Sequence, residues 1–316
     1  MNRFRQWLCI ALLVCCTGLV TAQEKLVFTP QWTAQAQFVG YYVAISKGFY
    51  KEAGLDVTIK HPSASKPSID YLTDGTSHLI TLNLVTAMSL IEKGVPLINV
   101  LQTSQQNSLM IVSHTPLSGK ESLRGKKVGY WRSGFSELPM AMDKRYGLGI
   151  QWIPFLSHIN LFISGAIDAT LAMSYNEYFQ LMLAGQRLKK DQLLYMRDIG
   201  YNIPEDGLYV SADYYRKHQG AVDKFAEATR KGWEWAVMHP EEALDIVMLT
   251  MRQTGAAGNM ISQEWMLKEC LHLLVDRNTG KRPYKLNPKD LELANRILLE
   301  SGFIKEAITY KKMTQL

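Results

Sequence analysis

Apolar residues along this chain come in short bursts that switch between two periods. Leu26 to Phe28 reads as a strand, and Gln31 to Gln37 as a polar loop carrying one tryptophan. Phe38 to Lys47 has helical spacing, with Gly48 placed to end it in a left-handed cap. Phe49 to Ala53 is a short turn closed by Gly54, and Leu55 to Lys60 alternates like a strand. The order repeats. Ser68 to Thr73 is helical, His78 to Leu82 strand-like, and Leu84 to Lys93 a helix stopped by Gly94. Leu97 to Gln102 and Leu109 to Ser113 are further strands. Such alternation predicts an α/β chain with a largely parallel sheet covered on both faces.

The turn-rich stretch Ser113 to Gly119 predicts a boundary. A second α/β unit follows. Leu123 to Trp131 brings in a strand, Arg132 to Phe135 a loop, and Ser136 to Tyr146 a helix. Gly165 to Met173 leads into another strand and Tyr178 to Ala184 into another helix. Tyr201 to Gly207, with Pro204, is a second turn-rich crossing. Beyond it Ser211 to Met238 and Pro240 to Met251 are amphipathic helices with no sheet of their own, expected to return to the first unit. Two crossings between two lobes make a hinge, and the cleft between lobes is a usual place for a small-molecule site. The expected division is 23–112 for lobe one, 113–207 for lobe two, and 208–316 for the return.

The N-terminus changes the picture of where this happens. Arg3 and Arg5 precede an uncharged apolar run from Trp7 to Val20, and Val20-Thr21-Ala22 offers small residues for signal peptidase. This predicts a secretory leader over residues 1–22 and an exported, periplasmic chain starting at Gln23. A second reading, lipid anchoring at Cys16, rests on Leu13-Val14-Cys15-Cys16, which lacks the usual small residue before the cysteine. Cys9, Cys15 and Cys16 leave with the leader, so the mature chain keeps only Cys270 and has neither a disulfide nor a cysteine zinc site. Lys and Arg exceed Asp and Glu by six, of which Arg3 and Arg5 are two. The surplus is scattered, which argues against nucleic acid as a partner. The histidines are dispersed, with no metal-like spacing, and neither a Gly-x-Ser-x-Gly elbow nor a P-loop is present.

Seven stretches carry a family resemblance. Gln31-Trp32-Thr33, Gly40 to Ala44 and Lys47-Gly48-Phe49-Tyr50-Lys51-Glu52-Ala53-Gly54-Leu55-Asp56-Val57 resemble the opening of the NMT1/THI5-like family. Leu123 to Gly129 and Gly165-Ala166-Ile167-Asp168-Ala169 resemble that family's second lobe. Met173 to Tyr178 and Pro204 to Tyr209 are similar to its pyrimidine-binding branch. The resemblance implies a type II periplasmic binding protein fold: two α/β lobes around a hinge and cleft. It implies a monomeric solute-binding protein of an ABC importer, docking on a permease and ATPase, with a thiamine pyrimidine precursor as ligand. An organic anion such as an alkanesulfonate or nitrate, or a sensing role, are the alternatives. The family also holds fungal enzymes that make the pyrimidine with iron. The resemblance puts Leu82 and Thr86 where those enzymes carry a Lys and a His, and their cysteine cluster is missing here. The resemblance therefore implies binding without catalysis and without a cofactor.

Candidate site residues follow from strand ends, where open α/β sheets bind ligands. Trp32, after the first strand, can stack on a flat ring. Gln37 can donate to a ligand or cap the next helix, and Asn83 likewise can contact ligand or act as an N-cap. Ser133 and Gly134 at a helix start suit an anion, and Glu137 one turn on either meets the ligand or favours the helix end. Asn176 offers a donor and an acceptor. Glu177 can accept two parallel N–H bonds from an aminopyrimidine edge, or be an ordinary helix-start acid. Asp206, in the second crossing, is a hinge group or a ligand contact.

Overall fold

The computed structural model describes residues 23–63, 66–131, 135–155 and 159–315. The expected leader, with Cys16, lies outside the described residues, and so do Ser133 and Gly134. Strands β1 (Glu24–Thr29), β2 (Leu55–Ile59), β3 (Leu79–Leu82) and β4 (Leu97–Gln102) belong to one sheet. Strands β5 (Leu109–Ser113), β6 (Lys127–Trp131), β7 (Gln151–Phe155), β8 (Ala169–Met173) and β9 (Leu193–Tyr195) form a second, and β10 (Gly207–Ser211) returns to the first. The spatial orders are β2-β1-β3-β10-β4 and β7-β6-β8-β5-β9.

Neither sheet is largely parallel, contrary to the expectation from the alternating pattern. β1 runs parallel to β2 and β3, and β6 to β7 and β8, because helical connections lead from one to the next. β5 and β10 run antiparallel to both their neighbours. Each of these two strands follows a crossing from the other sheet with no α-helix to reverse the chain, only the short 3-10 turn Met196–Ile199 standing before β10.

The first crossing also lies earlier than the turn signals at Ser113 suggest. β5 pairs with β8 and β9, so sheet membership changes between Gln102 and Leu109. Thr103 to Ser108 is buried and contains neither Gly nor Pro. Its polar groups are satisfied one by one instead. Thr103 N donates to Asp206 O, Gln105 N to Leu273 O, Asn107 Nδ2 to Ile203 O, and Gln106 Nε2 to Val275 O. Side-chain amides thus do what turn residues usually do, and leave no turn signature.

Three strands are missing from the sequence reading, β7, β9 and β10. Leu208, Tyr209 and Val210 are fully buried between β3 and β4. Gly207 opens β10 where a Cβ would sit 2.6 Å from Asn99 Nδ2 and 2.8 Å from Gln102 Oε1, so any larger residue would displace that side-chain pair. β7 carries Pro154 at the edge of its sheet, where a missing N–H is tolerated.

The core of the first unit explains the Lys47–Gly54 motif. Gly48 takes φ 76° and starts the short helix Phe49–Glu52, which points Tyr50 inward. Tyr50 stacks on Phe225 at 4.7 Å and hydrogen-bonds Thr229 at 2.7 Å, both on the long helix Ala212–Met238. Phe28 of β1 stacks on Tyr41 at 4.2 Å. The helix Val39–Ser46 lies directly on the long helix, because a Cβ at Gly232 would come 2.0 Å from Gly40 O. The helices Pro240–Thr254 and Met260–Leu273 complete this layer, and Cys270 is buried within it, its thiol pushed up by burial. Among the described residues no helix is long and apolar enough to cross a membrane.

Candidate ligand-binding site

The carboxyl ends of strands from both sheets meet at a small cavity. Trp32, Gln35 and Gln37 line it from the loop after β1. Trp131 ends β6, Phe135 follows it, and Met173 ends β8. Tyr175, Asn176 and Glu177, between β8 and the helix Glu177–Leu183, complete the wall. Four residues expected from the sequence, Trp32, Gln37, Asn176 and Glu177, therefore come together. The free space is about 30 Å³, room for a water or two rather than for a ring.

The walls are aromatic and the polar groups few. Trp131 meets Phe135 edge-on at 6.0 Å and Phe155 at 5.7 Å. Phe135 holds a backbone φ of 64°, disfavoured for a bulky residue by roughly 1–2 kcal/mol. Trp32 is half-buried, and its carbonyl accepts from the His61 ring at 2.9 Å. Sequence reasoning missed Gln35, Trp131, Phe135, Met173 and Tyr175. Trp131 and Met173 end strands and were legible by the same rule that selected Trp32.

Glu177 is buried, with only 7% of its surface exposed. Its Oε2 accepts from Met173 N at 3.0 Å and its Oε1 from Asn176 Nδ2 at 2.9 Å. Burial pushes its pKa up to about 7, against the pull of the Met173 and Glu177 backbone amides and of Trp131 and Asn176. Asn176 is held in turn, its Oδ1 accepting from Gln180 Nε2 at 2.7 Å.

Gln37 lines the cavity, but both ends of its amide are engaged. Oε1 accepts from Gln35 Nε2 at 2.6 Å, and Nε2 donates to the Asp206 carboxylate at 2.9 and 3.1 Å. Asp206 also accepts from Gln31, and its backbone carbonyl accepts from Thr103 and Ser104. Its carboxyl is pushed up to about 6 by burial, with Gln37 and Gln31 pulling down. Asp206 does not line the cavity. It ties the loop after β1 to both crossings. Glu137 is likewise displaced from the expected role. Its Oε1 accepts from Thr86 Oγ1 at 2.8 Å, a bond from the second unit to the first, and its Oε2 is buried without a partner among the described residues.

A second, smaller cavity of about 20 Å³ shares Phe135 and Met173 with the first. Asn83, Asn107, Leu138, Ile203 and Glu205 are among its other walls. Asn83 is an N-cap, accepting from Thr86 N at 2.8 Å. Glu205, unforeseen, cross-ties the two crossings. Its Oε1 accepts from Ser108 N at 2.9 Å and Leu109 N at 3.1 Å, and its Oε2 from Ser108 Oγ at 2.6 Å. Burial, and secondarily Asp206, push its pKa up to about 8, against the Ser108 and Leu109 donors. Among the described residues no group of His, Cys, Asp and Glu is placed to hold a metal ion.

The two units also touch outside the cavity. Trp265, on the helix Met260–Leu273, donates to Ser174 O at 3.0 Å and stacks on Phe179 at 4.8 Å. Arg145 and Glu300 pair across the gap at 2.8 Å.

Two mixed α/β sheets joined by two crossings, with an aromatic cleft at their strand ends, define the periplasmic binding protein class of fold. The periplasmic aliphatic sulphonate binding protein SsuA from Escherichia coli shares it, with a TM-score of 0.61 over 92% of each chain at 14% identity. The profile described as NMT1/THI5 like matches residues 35–243, and the chain belongs to that family. Among relatives, the formylaminopyrimidine-binding protein of Halalkalibacterium halodurans is 24% identical over 294 residues, covering 85% of this chain and 84% of that one. The 4-amino-5-hydroxymethyl-2-methylpyrimidine phosphate synthase of Candida albicans is 22% identical over 236 residues, covering 70% and 69%.

Proposed function

We infer that this chain is an extracytoplasmic solute-binding protein that closes on a flat, amino-substituted ring, such as a thiamine pyrimidine precursor, and delivers it to an ABC permease. The observation that carries this reading is Glu177: one buried carboxyl in an aromatic-walled cleft between two lobes. An aminopyrimidine edge offers that carboxyl two parallel hydrogen bonds, and the tryptophans offer the ring its faces. With the carboxyl near neutrality, the pair holds one proton at pH 7 whichever partner carries it. The proposed leader over residues 1–22 puts this binding outside the cytoplasmic membrane. The names of the relatives support the reading and divide on chemistry, one being a binding protein and one a synthase.

Two observations favour binding over synthesis. Leu82 is buried at the end of β3, and Thr86 is bonded to Glu137. Neither position supplies the basic side chains that the resemblance places in the enzymes. The organic-anion alternative rests on Ser133 and Gly134, and its ligand would meet the Glu177 carboxyl.

Calorimetric titration with aminopyrimidines and alkanesulfonates separates the readings. Charge-assisted hydrogen bonds contribute roughly 1.5–3 kcal/mol, so Glu177→Gln is expected to weaken an aminopyrimidine by about 10- to 150-fold. A sulfonate would bind this variant as well as wild type or better. If Glu177→Gln binds every aminopyrimidine as tightly as wild type, the pose is wrong and Glu177 is a helix-start acid.

A further inference from the structure

β2 runs parallel to β1, with Phe28 opposite Ile59, so the two strands send their chains out of the sheet side by side. Lys60 N still donates to Phe28 O, and His61 is the next residue, beside the loop that carries Trp32. That loop is pinned on both sides of Trp32. Gln31 N donates to Thr81 Oγ1 at 2.8 Å, and Ala36 N donates to Gln263 Oε1 at 2.8 Å. Between them the chain bends with neither helix nor strand. Trp32 is tied there through its carbonyl, which accepts from His61 Nδ1 at 2.9 Å. A carbonyl can only accept, so Nδ1 carries a proton. The other ring nitrogen, Nε2, lies 3.2 Å from the Tyr42 phenol oxygen. In the neutral ring Nε2 is bare and accepts from the phenol O–H. Burial lowers the His61 pKa and favours that neutral form, with the Trp32 carbonyl pulling the other way. Tyr42 is buried on the helix Val39–Ser46, and the rings of Tyr42 and Phe38 stand 5.9 and 6.3 Å from the imidazole. Both nitrogens of His61 are thus engaged, and the residue is not part of the cavity wall.

We propose that His61 is a positioning residue for the ring ligand: through Nδ1–H it fixes the main chain at Trp32, and with it the angle at which the indole meets a flat ring. The proposal rests on the reading that Trp32 stacks on the ligand. Aromatic contact depends on offset and tilt as well as on area, so an indole that swings on its loop loses part of it. The loop has no regular structure of its own to hold that angle. The support comes from the core instead. The helix Val39–Ser46 lies directly on the long helix Ala212–Met238, and Tyr42 passes that rigidity to the loop by way of the imidazole. His61 does not touch the ligand in this arrangement, and its effect on affinity passes through Trp32.

The test measures the affinity of the exported full chain for 4-amino-2-methylpyrimidine by calorimetry, at neutral pH. His61→Leu removes the donor and is expected to weaken binding by about 3- to 10-fold, the range for one neutral hydrogen bond. His61→Asn places an amide N–H the same number of bonds from Cα as Nδ1, so it should bind within about 2-fold of wild type. In a chain already carrying Trp32→Ala, His61→Leu should cost nothing further, since a residue that acts through another has no effect once that other is gone. Wild-type affinity in His61→Leu overturns the proposal. An equal loss from His61→Leu in both backgrounds, or no recovery in His61→Asn, overturns it too and makes His61 a packing residue of the loop. Each of those results leaves the ring pose standing. If wild type does not bind the probe, or Trp32→Ala binds it as tightly as wild type, the stacking reading itself fails and this inference falls with it.

Discussion

Trp32 and Glu177 show how much one position along a strand decides. Each stands just past the carboxyl end of a parallel strand, where the main chain turns away and side chains from separate loops converge. Glu177 starts a helix and also lines the cavity, so its place is compatible with both readings. Trp32 is only half-buried, and its ring is free to cover a ligand. Stacking of a base on an aromatic contributes roughly 1–3 kcal/mol. Trp32→Ala is expected to weaken an aminopyrimidine by about 5- to 150-fold, with the pH profile of binding unchanged. A shift in the profile measured by titration at several pH values would mean that Trp32 acts through Glu177 instead. Asn83, Gln37, Glu137 and Asp206 were legible as polar residues at the right ends of elements. What they bond to was not, because each finds its partner across a long stretch of chain.

At the scale of elements, the helices were the readable part. Ser68–Thr73 and Leu84–Glu92 sit where spacing and the capping residues put them, with Asn83 and Gly94 as punctuation. Strands buried on both sides were harder. β10 is five residues between a loop and a long helix, and its strand character comes from β3 and β4 rather than from its own alternation. The contact between Val39–Ser46 and Ala212–Met238 is of the same kind. It depends on Gly232, where a Cβ would run into the Gly40 carbonyl, and on Gly40, where a Cβ would run into the Trp233 ring. In Gly232→Ala the new Cβ meets backbone, which cannot rotate aside as a flexible side chain can. Overpacking of this sort costs about 1–3 kcal/mol or more. The urea midpoint should fall accordingly, and an unchanged midpoint would show that the helices can slide apart freely.

For the whole molecule, the cleft and the second crossing are where buried carboxyls gather. Glu177, Asp206 and Glu205 all have pKa values raised by burial, to about 7, 6 and 8. Unfolded carboxyls titrate near 4. Between those limits these three carboxyls bind more protons in the native chain than in the unfolded one, so their contribution to stability declines as pH rises from about 4.5 to about 8. Below about pH 6.5 they are opposed by His61 and His78, whose pKa values burial lowers. Glu205→Gln should flatten that slope most, since Glu205 has the widest window. Urea unfolding at pH 5 and pH 8, for wild type and this variant, measures it. Equal slopes would mean that water reaches Glu205 in the native state. The contacts of Trp265 with Ser174 and Phe179 hold the lobes together over a cavity of about 30 Å³, so a ring-sized ligand requires them to part first.

From the sequence alone came the α/β alternation, the second crossing, the family resemblance and four residues of the cavity wall. These are local properties, written in periodicity, capping residues and strand ends. The tertiary structure decided the rest. It set the antiparallel direction of β5 and β10, the place of the first crossing at Thr103–Ser108, and the commitment of Gln37 and Asp206 to each other. It also made Glu205 a cross-tie to Ser108 and Leu109, which lie far from it in the chain. Direction and partnership depend on what lies across the sheet or the cleft. A run of side chains specifies its own conformation far better than it specifies the neighbour that will satisfy its hydrogen bonds.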